Sequence, residues 1–257
     1  MRFFLTALAA LLLSAAPAAA DEAAYDTLLA RYVSASADGV NRVDYARWSN
    51  SRDDRAALDA YVAELAGQRP STFERDRAFA TWVNLYNAVT LQVILERYPI
   101  ASIRDIRSEG TGLDPRALIG PWRTKRVTVE GRRLSLDDIE NTILRPTFRD
   151  PRVHYAINCA SIGCPNLMPR AWRAENLEAD LDAAARAYVN HPRGVSVNAN
   201  GTLRVSSIYR WFRADFGGTD ANVIAHLRRY ALPELAARLS GATRIAGHGY
   251  DWALNGR

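Results

Sequence analysis

Lysine is almost absent from this chain. Lys125 is the only one, so nearly all of the 33 basic residues are arginines. The basic residues are spread along the sequence, with no run of them and no alternation with aromatics. The electrostatic footprint of a nucleic-acid binder is therefore missing, and no nucleic-acid partner is expected. Cysteine is scarce too. Cys159 and Cys164 are the only two, and the four histidines (His154, His191, His226 and His248) are scattered. No paired ligand motif of the zinc type can be written from them. Neither a metal nor a cofactor is expected. Internal repeats and low-complexity tracts are lacking. After the N-terminus no segment reads as long and apolar enough to span a bilayer. Residues 78–95 come closest, and Asn84, Asn87 and Gln92 interrupt them.

The N-terminus has the three parts of a secretory signal peptide. Arg2 gives a positive start, residues 3–13 are apolar and uncharged, and residues 14–20 are small and end in Ala18-Ala19-Ala20. The apolar run is too short for a spanning helix, and no Cys follows it to carry a lipid. Residues 1–20 are thus expected to be removed, leaving Asp21 as the mature end. No stable membrane anchor remains, and the address is periplasmic or secreted. Loss of Arg2 lowers the formal charge from +5 by one. An exporting route also favours a disulfide between Cys159 and Cys164.

Along the chain, helical signals dominate. Residues 21–32 read as a short helix and residues 40–45 as an extended piece. Arg52 to Ala66 is amphipathic, with Leu58, Tyr61, Val62 and Leu65 at helical spacing. Asp76 to Tyr98 is apolar on every side, which marks a buried helix, and Pro99 stops it. Residues 100–117 are turn-rich. Residues 126–129 and 133–135 form a hairpin around Glu130-Gly131. Ser135 and Asp138 then resemble a capping box opening a helix that ends at Pro146. Residues 153–157 read as a short strand, residues 175–190 as a helix, and residues 195–205 as a second hairpin. Residues 207–216 are expected to be helical, residues 219–239 to form one helix or two broken near Pro233, and residues 243–246 to form a last strand. The sum is α+β: a mainly helical single domain with a buried central helix and a small antiparallel sheet of hairpins. Residues 21–70 are expected to pack as a helical segment on a domain of residues 71–257.

Three clusters could carry chemistry. Asn84 and Asn87 share one face of the buried helix. Buried amides need partners, so they either lock loop backbone or face a ligand. The second cluster is residues 150–165, where His154, Asn158, Cys159, Ser161 and Cys164 crowd one loop. On a strand, His154 and Asn158 would point to one side. Three arrangements suit these residues. One is a nucleophilic Cys159 with His154 as base and Asn158 as orienter. Another is a metal site using His154, Cys159 and Cys164. The third is a disulfide-closed loop with structural polar residues, favoured because a thiolate beside a second Cys in an oxidising space is readily oxidised. The third cluster, residues 249–255, reads as a docking strand at the chain end.

These stretches together resemble the domain of unknown function 547 (DUF547) family. The likeness lies in residues 82–91, 134–145, 150–165 and 206–216 and in the terminal Tyr-Asp-Trp-Ala-Leu-Asn. One departure stands out: family members commonly carry a His where this chain has Asn141. The resemblance implies a shared fold and supplies no reaction. A weaker likeness of layout is to papain and transglutaminase, with a central buried helix followed by a segment bearing His. There the helix begins with the nucleophilic Cys, and here residues 76–84 contain none, as in a relative that has lost or replaced it. The function expected is that of an envelope domain binding a small ligand, peptide or glycan, or a partner protein, through Asn84, Asn87, His154, Asn158 and Ser161. The alternatives are a cysteine-hydrolase-like enzyme and a metal-binding protein.

Overall fold

The structure, a computed structural model, describes residues 21–107, 120–198 and 200–257. The expected signal peptide of residues 1–20 lies outside the described residues, as do residues 108–119 of the turn-rich stretch and Ala199 of the second hairpin turn. Four α-helices come first among the described residues: α1 (Glu22–Tyr32), α2 (Tyr45–Ser49), α3 (Arg52–Ala66) and α4 (Arg75–Arg97). Between α1 and α2, β1 (Val33–Ala35) and β2 (Asn41–Val43) pair antiparallel. Each local choice has a cause in the sequence. The Ser51 hydroxyl accepts the Asp54 N–H and starts α3, whose buried stripe is Leu58, Tyr61, Val62 and Leu65. Tyr45–Ser49 is a helical turn where an extended piece was expected to end; the Asp44 side chain caps it by accepting the Arg47 N–H.

Helix α4 is buried on all faces from Ala78 to Leu91. By length and composition alone it could cross a membrane, but 94% of its apolar window lies inside the fold. Its apolar side chains form one core with α1, α2 and α3. The N-terminal segment thus shares a core with the helix it covers. At about 1.5–3 kcal/mol for each large side chain taken fully out of water, this helix is the largest single contributor to the core.

After the hairpin β3 (Val127–Val129) and β4 (Arg132–Leu134) comes a helix of unusual register. The Ser135 hydroxyl accepts the Asp138 N–H while the Asp138 carboxylate accepts the Ser135 N–H, the reciprocal cap expected from the sequence. Asp138–Leu144 is then π-helical, and α5 (Arg145–Phe148) continues it. The Arg145 N–H bonds the Glu140 carbonyl, five residues back. Pro146 therefore does not end the helix, as its missing N–H and ring suggested. It sits in the first turn of α5, where no N–H is needed. Arg149, at φ 51°, ends the helix instead.

Residues 153–157 are not a strand. Val153–Ala156 is a single helical turn, α6, because the Asp150 carboxylate accepts the Arg152 N–H and the Asp150 carbonyl accepts the Val153 N–H. His154 and Asn158 therefore do not share a strand face. Helix α7 (Leu177–Val189) and the hairpin β5 (Val195–Val197) and β6 (Leu203–Ser206) follow as expected. Residues 207–216 shrink to one turn, α8 (Ile208–Trp211), before a run of turns. Helices α9 (Asp220–Tyr230) and α10 (Pro233–Leu239) flank the break before Pro233. The last strand lies later than expected, at β7 (Gly247–Gly249), and joins β6 in parallel, so the three-stranded sheet is mixed.

A second apolar cluster gathers α7, β5, β6, α8 and α9. The C-terminal segment closes the molecule: Ile162 N–H bonds the Ala253 carbonyl, Gly163 N–H the Asp251 carbonyl and Leu254 N–H the Ala101 carbonyl. A Cβ at Gly163 would lie 2.9 Å from Asp251 backbone atoms, so only glycine admits this approach.

Candidate functional site

A cleft of about 570 Å³ opens where the two apolar clusters adjoin. Tyr86 and Ile157 reach it from the first cluster, and Ile208 from the second. One wall is aromatic. Trp252 lies 4.6 Å from Tyr250, 5.5 Å from Trp211 and 5.7 Å from Trp122 between ring centroids. Trp211 is 47% exposed, one of the two large hydrophobic side chains left in water among the described residues. The Arg104 guanidinium lies over Trp252.

The polar part of the lining comes from the π-helical segment, which lines the cleft with Glu140 and Asn141, and with Asp137 just before it. π-bulges inside helices recur at functional sites, because the extra residue per turn re-aims side chains. Glu140 is buried, and the Tyr86 hydroxyl donates to its Oε2 at 3.3 Å. Burial, opposed by the nearby Arg145 charge and the Tyr86 hydrogen bond, pushes the Glu140 carboxyl up to about 7. His154 faces it, with Nδ1 3.9 Å from Glu140 Oε1. The other ring nitrogen, Nε2, is 2.7 Å from Asp215 Oδ2. Asp215 also takes two bonds from Arg145, at 2.6 and 3.0 Å. Burial acts to raise the Asp215 carboxyl, but the bonds from His154 and Arg145 outweigh it and hold it far below the carboxylate range. With Asp215 ionised, Nε2 carries the imidazole proton and donates to it, and Nδ1 is left unprotonated on the side of Glu140. Burial also holds His154 below its ordinary value, so the ring is neutral. Phe212 stacks on it at 4.1 Å. His154 is thus hydrogen-bonded to Asp215, with its other ring nitrogen 3.9 Å from the Glu140 carboxyl, beyond hydrogen-bond reach.

Asn141 donates to Asp137 Oδ1 at 3.1 Å and accepts from Arg145 at 2.6 Å. Asn141 therefore stands on the cleft wall, one residue from Glu140. An amide here holds Asp137 and Arg145 in place and cannot itself take up a proton at neutral pH.

The residues singled out in the sequence fall into two groups. His154, Cys159 and Cys164 line the cleft. Of the others, the three amides serve backbone. Asn84 donates to the Trp172 carbonyl and accepts its N–H, both at 2.9 Å. Asn87 donates to the Ala156 carbonyl at 3.0 Å and accepts the Asn158 N–H at 2.8 Å. Asn158 donates to the Pro165 carbonyl and accepts the Ala160 N–H, holding Ala160 at φ 60°. The Ser161 hydroxyl is buried beside the sulfurs and the Tyr250 hydroxyl. Cys159 and Cys164 are paired in a disulfide with Cα atoms 6.3 Å apart. Neither sulfur is a thiolate in this state, and the ring nitrogens of His154 address carboxylates. Among the described residues, no group of three or more His, Cys, Asp or Glu could hold a metal ion.

Residues 70–189 match the family model described as "Protein of unknown function, DUF547". The chain carries a DUF547 domain. No curated protein and no solved structure matches the chain. The DUF547 stretch runs from the approach to α4 to the end of α7 and supplies Glu140, Asn141, Arg145, His154 and the disulfide. Asp215 and the aromatic residues Trp211, Tyr250 and Trp252 lie beyond it. The cleft is therefore completed by the part of the chain that follows the DUF547 match.

Sequence reasoning missed Glu140, Asp137, Arg145, Asp215, Trp211 and Trp252 as site residues. Glu140 sits between Ile139 and Ile143 in a pattern that looks like an ordinary amphipathic helix, and a π-bulge leaves no trace in a 3.6-residue period. A signal was nonetheless present: the same stretch, residues 134–145, carries part of the family resemblance.

Proposed function

We propose that the DUF547 chain is an exported envelope protein whose cleft binds a glycan. The carrying observation is the aromatic wall. Trp211 and Trp252 meet at 31° with centroids 5.5 Å apart, and Trp211 is left half in water. An exposed indole at the mouth of a cleft costs solvation and contributes nothing to the core, so a bound partner is its natural cover. A pyranose offers what this cleft lacks: an apolar ring face for an indole and hydroxyls for Asp137, Asn141 and Glu140 in the same lining. Peptide binding has less support, since no open strand edge borders the cleft among the described residues. The N-terminal pattern of residues 1–20 and the oxidised Cys159–Cys164 pair support export.

Intrinsic fluorescence titration of the purified full chain with chitotetraose and with soluble peptidoglycan fragments tests the assignment. Binding should perturb the emission, and Trp211→Ala and Trp252→Ala should each weaken it at least tenfold. No saturable change with either probe refutes it. N-terminal sequencing of the protein recovered from the periplasm should begin at Asp21, and a chain retained whole in the cytoplasm refutes export.

A further inference from the structure

We infer that the Cys159–Cys164 bond is a thiol–disulfide exchange centre open to a small thiol in the cleft, with Cys159 as the sulfur attacked and Cys164 as the leaving thiolate. The inference uses no part of the glycan reading, so neither falls with the other. Both cysteines line the cleft, yet they are not equivalent. Cys159 is partly open, whereas Cys164 is only 3% exposed. An incoming thiolate therefore meets Cys159 first. The buried sulfur has the donors that a thiolate needs. The Cys159 N–H points at Cys164 Sγ at 2.9 Å. The Tyr250 hydroxyl stands 3.0 Å from Cys164 Sγ and 3.1 Å from Cys159 Sγ, so it can donate to whichever sulfur carries charge. The Ser161 hydroxyl donates to the Tyr250 oxygen at 3.2 Å, which leaves the Tyr250 proton for sulfur. Burial pushes the Tyr250 hydroxyl up, so it stays a donor. Arg193 brings a positive charge to the same loop. Its guanidinium donates to the Ile162 carbonyl at 3.2 Å and to Asn166 Oδ1 at 2.6 Å, while Nε is buried without a partner. These partners are neutral, so an anion forming on Cys164, two residues from Ile162, gains from the cation.

The exchange balances with two small thiols. The first, as its thiolate, attacks Cys159 Sγ. A new S–S bond forms as the Cys159–Cys164 bond breaks, and the electron pair leaves on Cys164 Sγ. The second thiolate attacks the small-thiol sulfur of this mixed disulfide, and the pair leaves on Cys159 Sγ. Two thiols become one disulfide, and the protein disulfide is reduced by the same two electrons. The two thiol protons pass to the cysteines or to water. The opposite order is disfavoured by the surroundings. Attack at Cys164 would have to reach a buried sulfur and would leave the charge on Cys159, away from the Cys159 N–H that now points at Cys164.

The test exposes the purified, folded full chain to reduced glutathione, quenches with iodoacetamide and maps both cysteines by mass. Glutathione is expected on Cys159 and the carbamidomethyl group on Cys164, in about tenfold excess or more over the reverse pattern. The rate of bond opening should rise in proportion to glutathione concentration, as direct attack on the folded protein requires. Tyr250→Phe removes the hydroxyl that serves the leaving sulfur. It should slow the opening about tenfold, the scale of one hydrogen bond to a charged group, in a variant that melts as the parent does. A rate that levels off with glutathione marks a bond reached only when the chain unfolds, and it overturns the inference. So does a bond that glutathione does not open, or an adduct found on Cys164 or equally on both sulfurs. Parental opening in a folded Tyr250→Phe variant overturns it too. If that variant does not fold, the adduct map and the concentration dependence of the parent decide. Chitotetraose binding is read separately and is untouched by each of these results.

Discussion

Replacing Glu140 with Gln exchanges a buried carboxyl for an amide of the same shape, which can still accept from the Tyr86 hydroxyl. The consequence for stability is a function of pH. In the unfolded chain the carboxyl ionises near 4.5, and in the fold it does so near 7. Below 4.5 both states hold the proton and the group is neutral in each. Between the two values the unfolded chain releases a proton that the folded chain keeps, so stability falls as pH rises and stays low above 7. Across that interval, at about 1.36 kcal/mol per pH unit, the loss is about 3 kcal/mol. The amide suffers none of it. Urea unfolding of both proteins at pH 4.5, 6 and 8 should therefore show the variant gaining on the parent by about 3 kcal/mol from the lowest to the highest pH. The difference between the proteins is the needed quantity, because the parent alone hides the effect. His226 Nε2 is hydrogen-bonded to the Tyr155 hydroxyl at 2.8 Å, and burial above all holds the imidazole down to about 4. Its contribution is present above 6.5 and lost as pH falls toward 4, opposite in slope to Glu140 over nearly the same window. A difference that stays flat with pH would refute the assignment of Glu140 as a buried, raised acid.

Other outcomes follow from the same contacts. Asn87→Ala removes two bonds to buried backbone at Ala156 and Asn158 and should cost about 2–4 kcal/mol in chemical unfolding, with the cleft losing order alongside. Trp211→Ala should leave the unfolding midpoint nearly unchanged, because this side chain is already half in water. Intact mass of the purified full chain, with and without reductant, should differ by two hydrogens for the Cys159–Cys164 bond. Cys159→Ser with Cys164→Ser together should cost about 2 kcal/mol, since the bond closes only a short loop. Cys159→Ser alone should also leave glycan binding in place, whereas a cysteine hydrolase would lose its activity with it.

The parts of the fold that were legible in the sequence are those governed by local pattern. The stripe of α3, the all-round apolar face of α4, both hairpins and the Ser135–Asp138 cap each follow from spacing or from one side chain reaching its own backbone. Where the reading missed, the deciding contact was unseen. Residues 153–157 carry an apolar run short enough for a strand, yet the Asp150 carboxylate turns them into helix. Pro146 looked like a stop, and the π register made room for it. The candidate site was half visible. His154 and the cysteines stand out by residue type, and they do line the cleft. Asn84, Asn87 and Asn158 stand out equally and hold backbone together. The acid at the centre, Glu140, was hidden by an ordinary helical pattern, and its anchor Asp215 lies 61 residues from His154.

The most direct measurement is the indole N–H spectrum of protein carrying ¹⁵N-tryptophan, titrated with chitotetraose. The chain has six tryptophans. Trp122, Trp211 and Trp252 line the cleft, while Trp48, Trp82 and Trp172 are buried elsewhere in the core. Glycan binding in the aromatic cleft predicts that the Trp211 and Trp252 signals shift, with Trp122 following, and that the three core signals stay in place. No movement of the cleft indoles, or an equal movement of all six, would contradict it.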